Sequence, residues 1–281
     1  MMSEWNSIIK YPRTPHIEGS RLQPGDEDLS QIPFREIAGR HLVVEEKLDG
    51  ANSAISFDEQ GKLLLQSRGH YLTGGYRERH YALLKQWAAV WSDKFYQALG
   101  SRYIMYGEWL YAKHTVFYDK LPHYFMEFDI YDKEKEIFLS TPARRQITAP
   151  LPVMSVPVLK EGVFGTLEEL LMLIGDSLYI SDDHRETLRR YAAENGLDPD
   201  RQCAETEASK TMEGLYLKVE EEGRVAFRAK YVRASFLQTL LLSESHWLDR
   251  PIVPNQLSVP MEWLFEKPVA WEAESFRGDS C

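Results

Sequence analysis

A lysine at the end of a predicted strand is the strongest candidate for chemistry in the chain. Lys47 follows the apolar run Leu42–Glu46, and a tight turn containing Gly50 comes directly after it. A lysine amine is a nucleophile only when it is unprotonated, and partial burial and nearby cations both lower its pKa. Gly50 permits a turn that aims the amine at a ligand in a cleft. A surface lysine before an Asp-Gly turn has the same spacing, because this short match also arises by chance.

Charged and aromatic residues on later segments could complete a site around this lysine. They lie at a strand end, in two apolar strands and on a strand pair near the end of the chain, and they are Arg68, Glu108, Phe128, Glu213, Arg228 and Lys230. Because Arg228 and Lys230 are two residues apart, they share one face of their strand. Facing inward, they would be tolerated only beside an anion such as phosphate. Taken singly, the same residues could be sheet-edge charges, a core ring and a solvated strand face.

The order of these segments resembles the motifs of the covalent nucleotidyltransferases, which are the ATP-dependent polynucleotide ligases and the mRNA-capping guanylyltransferases. The matching residues are Lys47, Asp49, Gly50, Ser67, Arg68, Gly69, Gly107, Glu108, Phe128, Asp129, Glu213, Gly214, Arg228 and Lys230. Each motif is weak alone, whereas their order and their placement on predicted strands are specific. The chain is most similar to the type 2 RNA ligases, in which an asparagine at the place of Asn52 and an arginine at the place of Arg68 follow the lysine.

This resemblance implies an enzyme that uses ATP with Mg²⁺ or Mn²⁺. Lys47 would attack the α-phosphate, expel pyrophosphate and carry AMP, which would pass to an RNA 5′-phosphate before a 3′-hydroxyl displaces it. Such covalent catalysis divides one difficult displacement into easier ones. The resemblance assigns ribose binding to Glu108, adenine stacking to Phe128 and metal binding to Glu213.

Further nucleotide contacts are implied by the same resemblance. Arg228 and Lys230 would hold the α-phosphate and depress the pKa of Lys47 by like-charge repulsion, although the family more often has lysine at both positions. Glu46 is the adenine-side candidate, and Glu45 is its rival. The other nucleotide contacts that we predict are Asn52, Arg68 and Lys218.

A mixture of cations and flat rings follows the strand that ends near Ser67. Only one acid, Glu78, interrupts the cations between Arg68 and Lys85. Such a mixture suits a surface that binds RNA ends, although an ordinary loop and helix start would have the same composition. The RNA contacts that we predict are Arg68, Arg77, Arg79 and Lys113.

The composition limits the function classes. The net charge of −10 excludes a uniformly basic coat for nucleic acid, but phosphate binding needs only local cations. Two cysteines favour a reducing compartment. The N-terminal residues have no apolar core of signal-peptide length, and the apolar stretches are too short to cross a bilayer. We therefore expect a cytoplasmic protein that does not bind membranes.

The strands are predicted mostly as hairpin pairs with helices inserted between the pairs, which favours an α+β fold of antiparallel sheets flanked by helices. The resemblance refines this to a nucleotidyltransferase fold. We expect a lead-in over residues 1–40 that packs on the core, a nucleotidyltransferase domain over residues 41–235 and a short helical extension over residues 236–281. The chain after Arg233 is too short for a full C-terminal OB-fold.

The expected partner is RNA with 3′-hydroxyl and 5′-phosphate ends, and the expected activity is RNA ligation in RNA repair. A kinase or phosphatase that heals RNA ends is a further expected partner. Three alternatives remain open at this stage: a DNA ligase, a capping-type guanylyltransferase, or a non-catalytic module that binds nucleotide or RNA.

Overall fold

Two β-sheets form the centre of the computed structural model, which describes residues 8–22, 26, 31–237 and 251–266. The strands are β1 (His16–Ile17), β2 (Gln31–Ile32), β3 (His41–Lys47), β4 (Ala51–Phe57), β5 (Leu63–Ser67), β6 (Tyr103–Trp109), β7 (Phe125–Asp132), β8 (Ile137–Phe138), β9 (Met154–Ser155), β10 (Val158–Val163), β11 (Gly214–Glu221) and β12 (Arg224–Val232). The α-helices are α1 (Ala82–Val90), α2 (Ser92–Leu99), α3 (Thr141–Thr148), α4 (Leu167–Leu171), α5 (His184–Glu194) and α6 (Pro199–Ala204). Short 3-10 helices cover Phe34–Glu36, Tyr76–Tyr81 and Met261–Leu264.

The first sheet carries Lys47 on an inner strand. Its strand order is β10-β3-β11-β12-β1-β2. Strand β3 is antiparallel to both neighbours, and Gly214 of β11 lies directly opposite Lys47. Strand β1 pairs in parallel with β12 and with β2. The described part of the lead-in over residues 1–40 therefore packs on this sheet and extends it.

The second sheet carries the remaining strands in the order β5-β4-β6-β7-β8, with β9 pairing in parallel with β7. The pairing of β4 with β6 places Asn52 opposite Glu108. Strands β4 and β5 form the predicted hairpin. Since antiparallel pairs dominate both sheets, the predicted α+β fold class is confirmed.

Helices α1 and α2 bury one apolar side in the core of the second sheet. Their inward residues recur at the helical period, and they are Leu84, Trp87, Ala88, Phe95 and Leu99. The sequence predicts a single helix over Tyr81–Leu99, whereas the structure divides this segment at Trp91. The indole Nε1 of Trp91 donates to the carbonyl of Leu264 at 2.8 Å. This tertiary contact involves a residue far along the chain, which local periodicity does not show.

Helix α3 begins where the sequence predicts, but its first turn is capped differently. Ser140 makes no side-chain cap. The carboxylate of Glu220 instead accepts from the backbone N–H of Thr141 at 2.8 Å and from its hydroxyl at 2.7 Å. An acceptor at this place satisfies an N–H that the helix itself cannot pair. The contact ties α3 to β11.

The extension predicted over residues 236–281 is described only in part. Residues 234–237 are helical, and the rest of the helix predicted over Ser235–Ser243 lies outside the described residues. Residues 251–266 are mostly irregular and contain only the short helix Met261–Leu264. Within the described ranges, no helix is both long and apolar enough to span a membrane.

Candidate active site

Residues from both sheets line a cleft of about 1080 Å³. On β3 the side chains alternate, so Leu42 and Val44 enter the core while Lys47 reaches the cleft. The predicted site residues that the fold brings together along this cleft are Glu46, Lys47, Asn52, Arg68, Glu108, Phe128, Glu213 and Lys230. The pattern of the sequence therefore converges on one place in space.

Lys47 forms an ion pair with a buried carboxylate. Its Nζ lies 2.7 Å from Oε1 of Glu213, whose side chain is 1% exposed. Burial by itself lowers the pKa of Lys47, but the carboxylates of Glu213 and Glu108 outweigh burial and raise it above its usual range. We expected neighbouring cations to depress this pKa, and that expectation is wrong for the structure described. The amine is held in place but protonated.

Glu108 shares the cleft with Lys47 and carries an unusual charge balance. Its Oε1 accepts from the backbone N–H of Gly50 at 3.1 Å. Burial raises the pKa of Glu108 to about 8, although Lys47 acts in the opposite direction. At neutral pH a large share of this carboxyl group is therefore protonated, and such a group can donate a hydrogen bond as well as accept one.

The turn after Lys47 depends on glycine at position 50 because of close packing. A Cβ atom at Gly50 would lie 2.8 Å from the carbonyl oxygen of Trp109 and 2.7 Å from a methyl group of Leu110. Distances below 3.0 Å force the backbone or its neighbours to move. The requirement is thus for close approach between the turn and β6.

Asp49 fixes the same turn to the loop between β6 and β7. Its Oδ2 accepts from the backbone N–H groups of Thr115 and Val116 at 2.7 and 2.8 Å. Its own backbone N–H donates to the hydroxyl of Tyr118 at 2.8 Å. Sequence analysis placed Asp49 in a motif but gave it no role, because these partners lie more than sixty residues away.

Lys230 is the strand cation that reaches the cleft. Its Nζ pairs with the carboxylate of Asp26. Burial lowers the pKa of Lys230, and the charge of Lys47 lowers it further. For Asp26, burial opposes ionisation but Lys230 prevails, so the pKa of Asp26 falls to about 2. Asp26 also accepts a contact from the buried ring of His16 at 3.2 Å; neither residue was predicted from the sequence.

Arg228 does not line the cleft, and its predicted grip on the α-phosphate is wrong for this structure. Its guanidinium donates to Asp129 at 3.1 Å and lies 4.1 Å from the centre of the Phe138 ring. Only 12% of the side chain is exposed. A planar guanidinium can pair with a carboxylate while stacking on a ring, which accounts for arginine here.

Lys218 was predicted to contact nucleotide, but it is buried beneath the cleft. Its Nζ lies 2.8 Å from Glu45 and 3.3 Å from Asp129, and it also donates to the carbonyl of Phe128. Glu45, the rival to Glu46, is held by Lys218 and by Arg144. Both residues therefore support the backbone that carries Phe128.

Glu46 lines the cleft beside the nucleophile but is only 2% exposed. Burial raises the pKa of its carboxyl to about 7, and a hydrogen bond with Ser177 opposes the shift weakly. The neutral and charged forms of Glu46 are thus both populated near neutral pH. This position is compatible with the predicted adenine-side contact.

Phe128 presents a half-buried ring to the cleft. The ring of Tyr11 packs edge-on against it, with 5.1 Å between the ring centres. Tyr11 is in turn fixed by Tyr216, whose hydroxyl lies 2.8 Å from its own. The lead-in thus buttresses the ring that was predicted to stack on adenine.

The predicted RNA surface is only partly supported. Arg68 is exposed and lines the cleft, and exposed Arg79 lies 4.7 Å from the centre of the Tyr76 ring at the cleft rim. The side chain of Arg77 lies outside the described residues. Lys113 is 7% exposed and donates to the hydroxyl of Thr206 at 2.9 Å. Its predicted role on an RNA-binding surface is therefore wrong for this structure.

The donor chemistry around Lys47 suits a hard divalent cation. Glu213 and Glu108 both act on Lys47 electrostatically and supply carboxylate oxygens, and Mg²⁺ is typically bound by one or two carboxylates together with substrate phosphates. Among the described residues, no group of three or more His, Cys, Asp or Glu side chains forms a metal cage. The residues fit a metal that arrives with nucleotide.

A cleft that joins a lysine, carboxylates, a ring and a cation defines a candidate nucleotidyl-transfer site on an α+β fold. The chain belongs to the RNA ligase family, because the family model for RNA ligase matches residues 40–232. None of the curated protein sequences matches it.

Solved structures of Naegleria gruberi RNA ligase share the fold. A lysine-to-alanine mutant with ATP and Mn is 19% identical, with a TM-score of 0.51 over 82% of this chain and 58% of that chain. A lysine-to-methionine mutant with AMP and Mn is 17% identical, with a TM-score of 0.52 over 84% and 58%. The structure with PPi has a TM-score of 0.52 at 19% identity over the same shares. The chain thus spans 58% of the length of these solved chains.

Proposed function

We propose that the protein is an ATP-dependent RNA ligase that forms a lysyl-AMP intermediate at Lys47. The observation that carries the proposal is the placement of Nζ of Lys47 in the cleft, 2.7 Å from Glu213. Membership of the RNA ligase family over residues 40–232 supports it, as does the similarity to a ligase solved with ATP and Mn.

The first step joins Nζ of Lys47 to the α-phosphorus of ATP and breaks the bond to the β-phosphate, so pyrophosphate leaves. The amine attacks only after it loses a proton. Oε1 of Glu213 is the nearest carboxylate acceptor for that proton. Because phosphoryl transfer depends on in-line positioning and charge neutralisation, Lys230 is suited to hold the transferred phosphate.

The cleft offers a face and an edge for the nucleoside. The half-buried ring of Phe128 suits stacking on adenine, and Glu108 suits the ribose hydroxyls because a carboxylate accepts two hydrogen bonds. Glu213, with Glu108, is suited to bind Mg²⁺ or Mn²⁺. Such a cation neutralises phosphate charge in the transition state.

The substrate we propose is RNA with 3′-hydroxyl and 5′-phosphate ends. Arg68 and Arg79, which are exposed at the cleft and its rim, suit phosphate and base contacts. Asn52 lines the cleft between them and Lys47 in function, as the residue that orients the RNA end. A role in RNA repair, a cytoplasmic location and an end-healing kinase or phosphatase partner stay predictions.

The test is covalent labelling with α-labelled ATP and Mg²⁺ or Mn²⁺, followed by denaturing electrophoresis. We expect label on the wild type, none on Lys47→Ala, and wild-type label on Lys62→Ala, whose exposed lysine lies in the β4–β5 hairpin turn. Equal label on Lys47→Ala would refute the assignment. Preference for labelled GTP would favour a capping-type enzyme, and sealing of nicked DNA in place of RNA would favour a DNA ligase.

A further inference from the structure

The loop between β6 and β7 is buried although it has no regular structure. All residues from 112 to 118 are buried. A buried irregular segment needs partners for its backbone N–H and C=O groups. Residues 253–258, which we call the strap, supply several. The carbonyl of Val253 accepts from Lys113 at 2.8 Å, and the N–H of Gln256 donates to Tyr118 at 2.9 Å.

Asn255 is the central residue of the strap, and each of its polar groups is used. The residue is 1% exposed. Its Oδ1 accepts from the backbone N–H of Tyr118 at 2.9 Å, and its Nδ2 donates to the carbonyl of Leu110 at 2.7 Å. Its backbone N–H donates to Tyr111 at 2.8 Å, and its carbonyl accepts from the hydroxyl of Tyr124 at 2.7 Å. The side chain thus bridges the start of the loop to Tyr118.

The same tyrosine reaches the turn that carries the nucleophile. While the strap holds the backbone of Tyr118, its hydroxyl accepts from the N–H of Asp49 at 2.8 Å. The carboxylate of Asp49 then holds the N–H groups of Thr115 and Val116 in the same loop. Lys47 lies two residues before Asp49. A closed set of hydrogen bonds therefore connects the strap to the turn of the nucleophile.

We propose that Asn255 is a positioning residue for nucleotidyl transfer, acting through Tyr118 on the turn from Lys47 to Gly50. The inference rests on the proposed function, because it gives the strap a part in that reaction. Asparagine suits the place because its amide donates and accepts at once. Aspartate would keep the acceptor toward Tyr118 but lose the donor toward Leu110, and leucine would lose both.

The test compares Asn255→Asp and Asn255→Leu with a matched control, Gln256→Ala. Gln256 belongs to the same strap, is half-buried and contacts the loop through its backbone. Single-turnover formation of lysyl-AMP is measured over a range of ATP concentrations. We expect the maximal rate of the Asn255 variants to fall about 10- to 100-fold, as for a misplacement of about 1 Å. The ATP concentration at half-maximal rate should change little, and Gln256→Ala should match the wild type.

A second variant tests the route of coupling and does not depend on the folding of Asn255→Leu. Tyr118→Phe keeps the buried ring and the backbone bond to Asn255, but it removes the hydroxyl that meets Asp49. We expect it to slow lysyl-AMP formation on its own. Residues that act in one network are not additive, so Tyr118→Phe combined with Asn255→Asp should be about as slow as the slower single variant. Multiplied losses, or an unchanged maximal rate in both single variants, overturn the proposal.

Amide hydrogen exchange separates failure of this inference from failure of the proposed function. A wild type that forms no lysyl-AMP refutes the function. The positioning claim is then decided by the N–H groups of Asp49, Thr115 and Val116. Faster exchange of all three in Asn255→Asp than in Gln256→Ala supports the coupling, whereas unchanged exchange at Asp49 overturns it.

Discussion

Replacing Glu46 with glutamine should stabilise the protein, and the gain should depend on pH. Glu46 is 2% exposed. Its Oε1 accepts no hydrogen bond from the described part of the chain. Burial raises the pKa of the carboxyl from 4.5 to about 7, and the contact with Ser177 only partly opposes this. The ionised form is therefore costly in the folded state.

The magnitude follows from proton linkage. Between pH 4.5 and about 7 the folded protein retains a proton on Glu46 that the unfolded chain has released. The free energy of unfolding must therefore fall as the pH rises through this window. At 1.36 kcal/mol per pKa unit, the loss is about 3 kcal/mol. Glutamine does not titrate, so Glu46→Gln should gain about 3 kcal/mol over the wild type near pH 8 and less than about 1 kcal/mol near pH 5.

Urea unfolding of both proteins at the two pH values measures this difference directly. Glu59→Gln is the matched control, because Glu59 is exposed in the turn between β4 and β5. Its free energy of unfolding relative to the wild type should be the same at both pH values. A gain for Glu46→Gln that is equal at both pH values would show that Glu46 does not ionise in this window, and the reasoning from burial would be refuted.

Two further substitutions test the packing beneath the nucleophile. Gly50→Ala should cost about 1–3 kcal/mol of stability and slow lysyl-AMP formation, because its Cβ would lie 2.8 Å from the carbonyl of Trp109; Gly175→Ala, which meets no atom within 4 Å, should do neither in urea unfolding or labelling. Lys218→Met should cost about 3–5 kcal/mol in the same unfolding assay, because it removes a partner from two buried carboxylates. A loss below about 1 kcal/mol would mean that this pair contributes no more than a surface ion pair.

Local pattern was sufficient for most of the long elements. The alternation in β3 and the helical spacing in α1 and α2 are properties of neighbouring residues, and they were read correctly apart from the break at Trp91. The two-residue strands β1, β2 and β9 were missed because so short a segment has no period. Strand β10 was missed because it contains Lys160, Glu161 and Gly162, which are exposed or half-exposed at the edge of the sheet.

The site divides in the same way. Spacing along β12 predicted that Arg228 and Lys230 share a face, but it could not show that Asp129 lies beside Arg228 while Lys230 reaches the cleft. Lys113 was predicted as an RNA contact from its charge alone, although Thr206 lies beside it in the fold. Burial and long-range partners decide what a charged residue does, and neither is present in the spacing of one chain.

The pairing of cleft cations reconciles phosphate binding with a net charge of −10. Lys47 is paired with Glu213, and Lys230 with Asp26, so an entering phosphate must displace a carboxylate from each. A backbone phosphate of arbitrary RNA offers only charge in exchange, and salt screens that contribution. A nucleotide can add the burial of its base against Phe128, which charge pairing does not oppose. Paired cations in an acidic protein therefore favour a ligand that brings a base together with its phosphate over a bare polyanion.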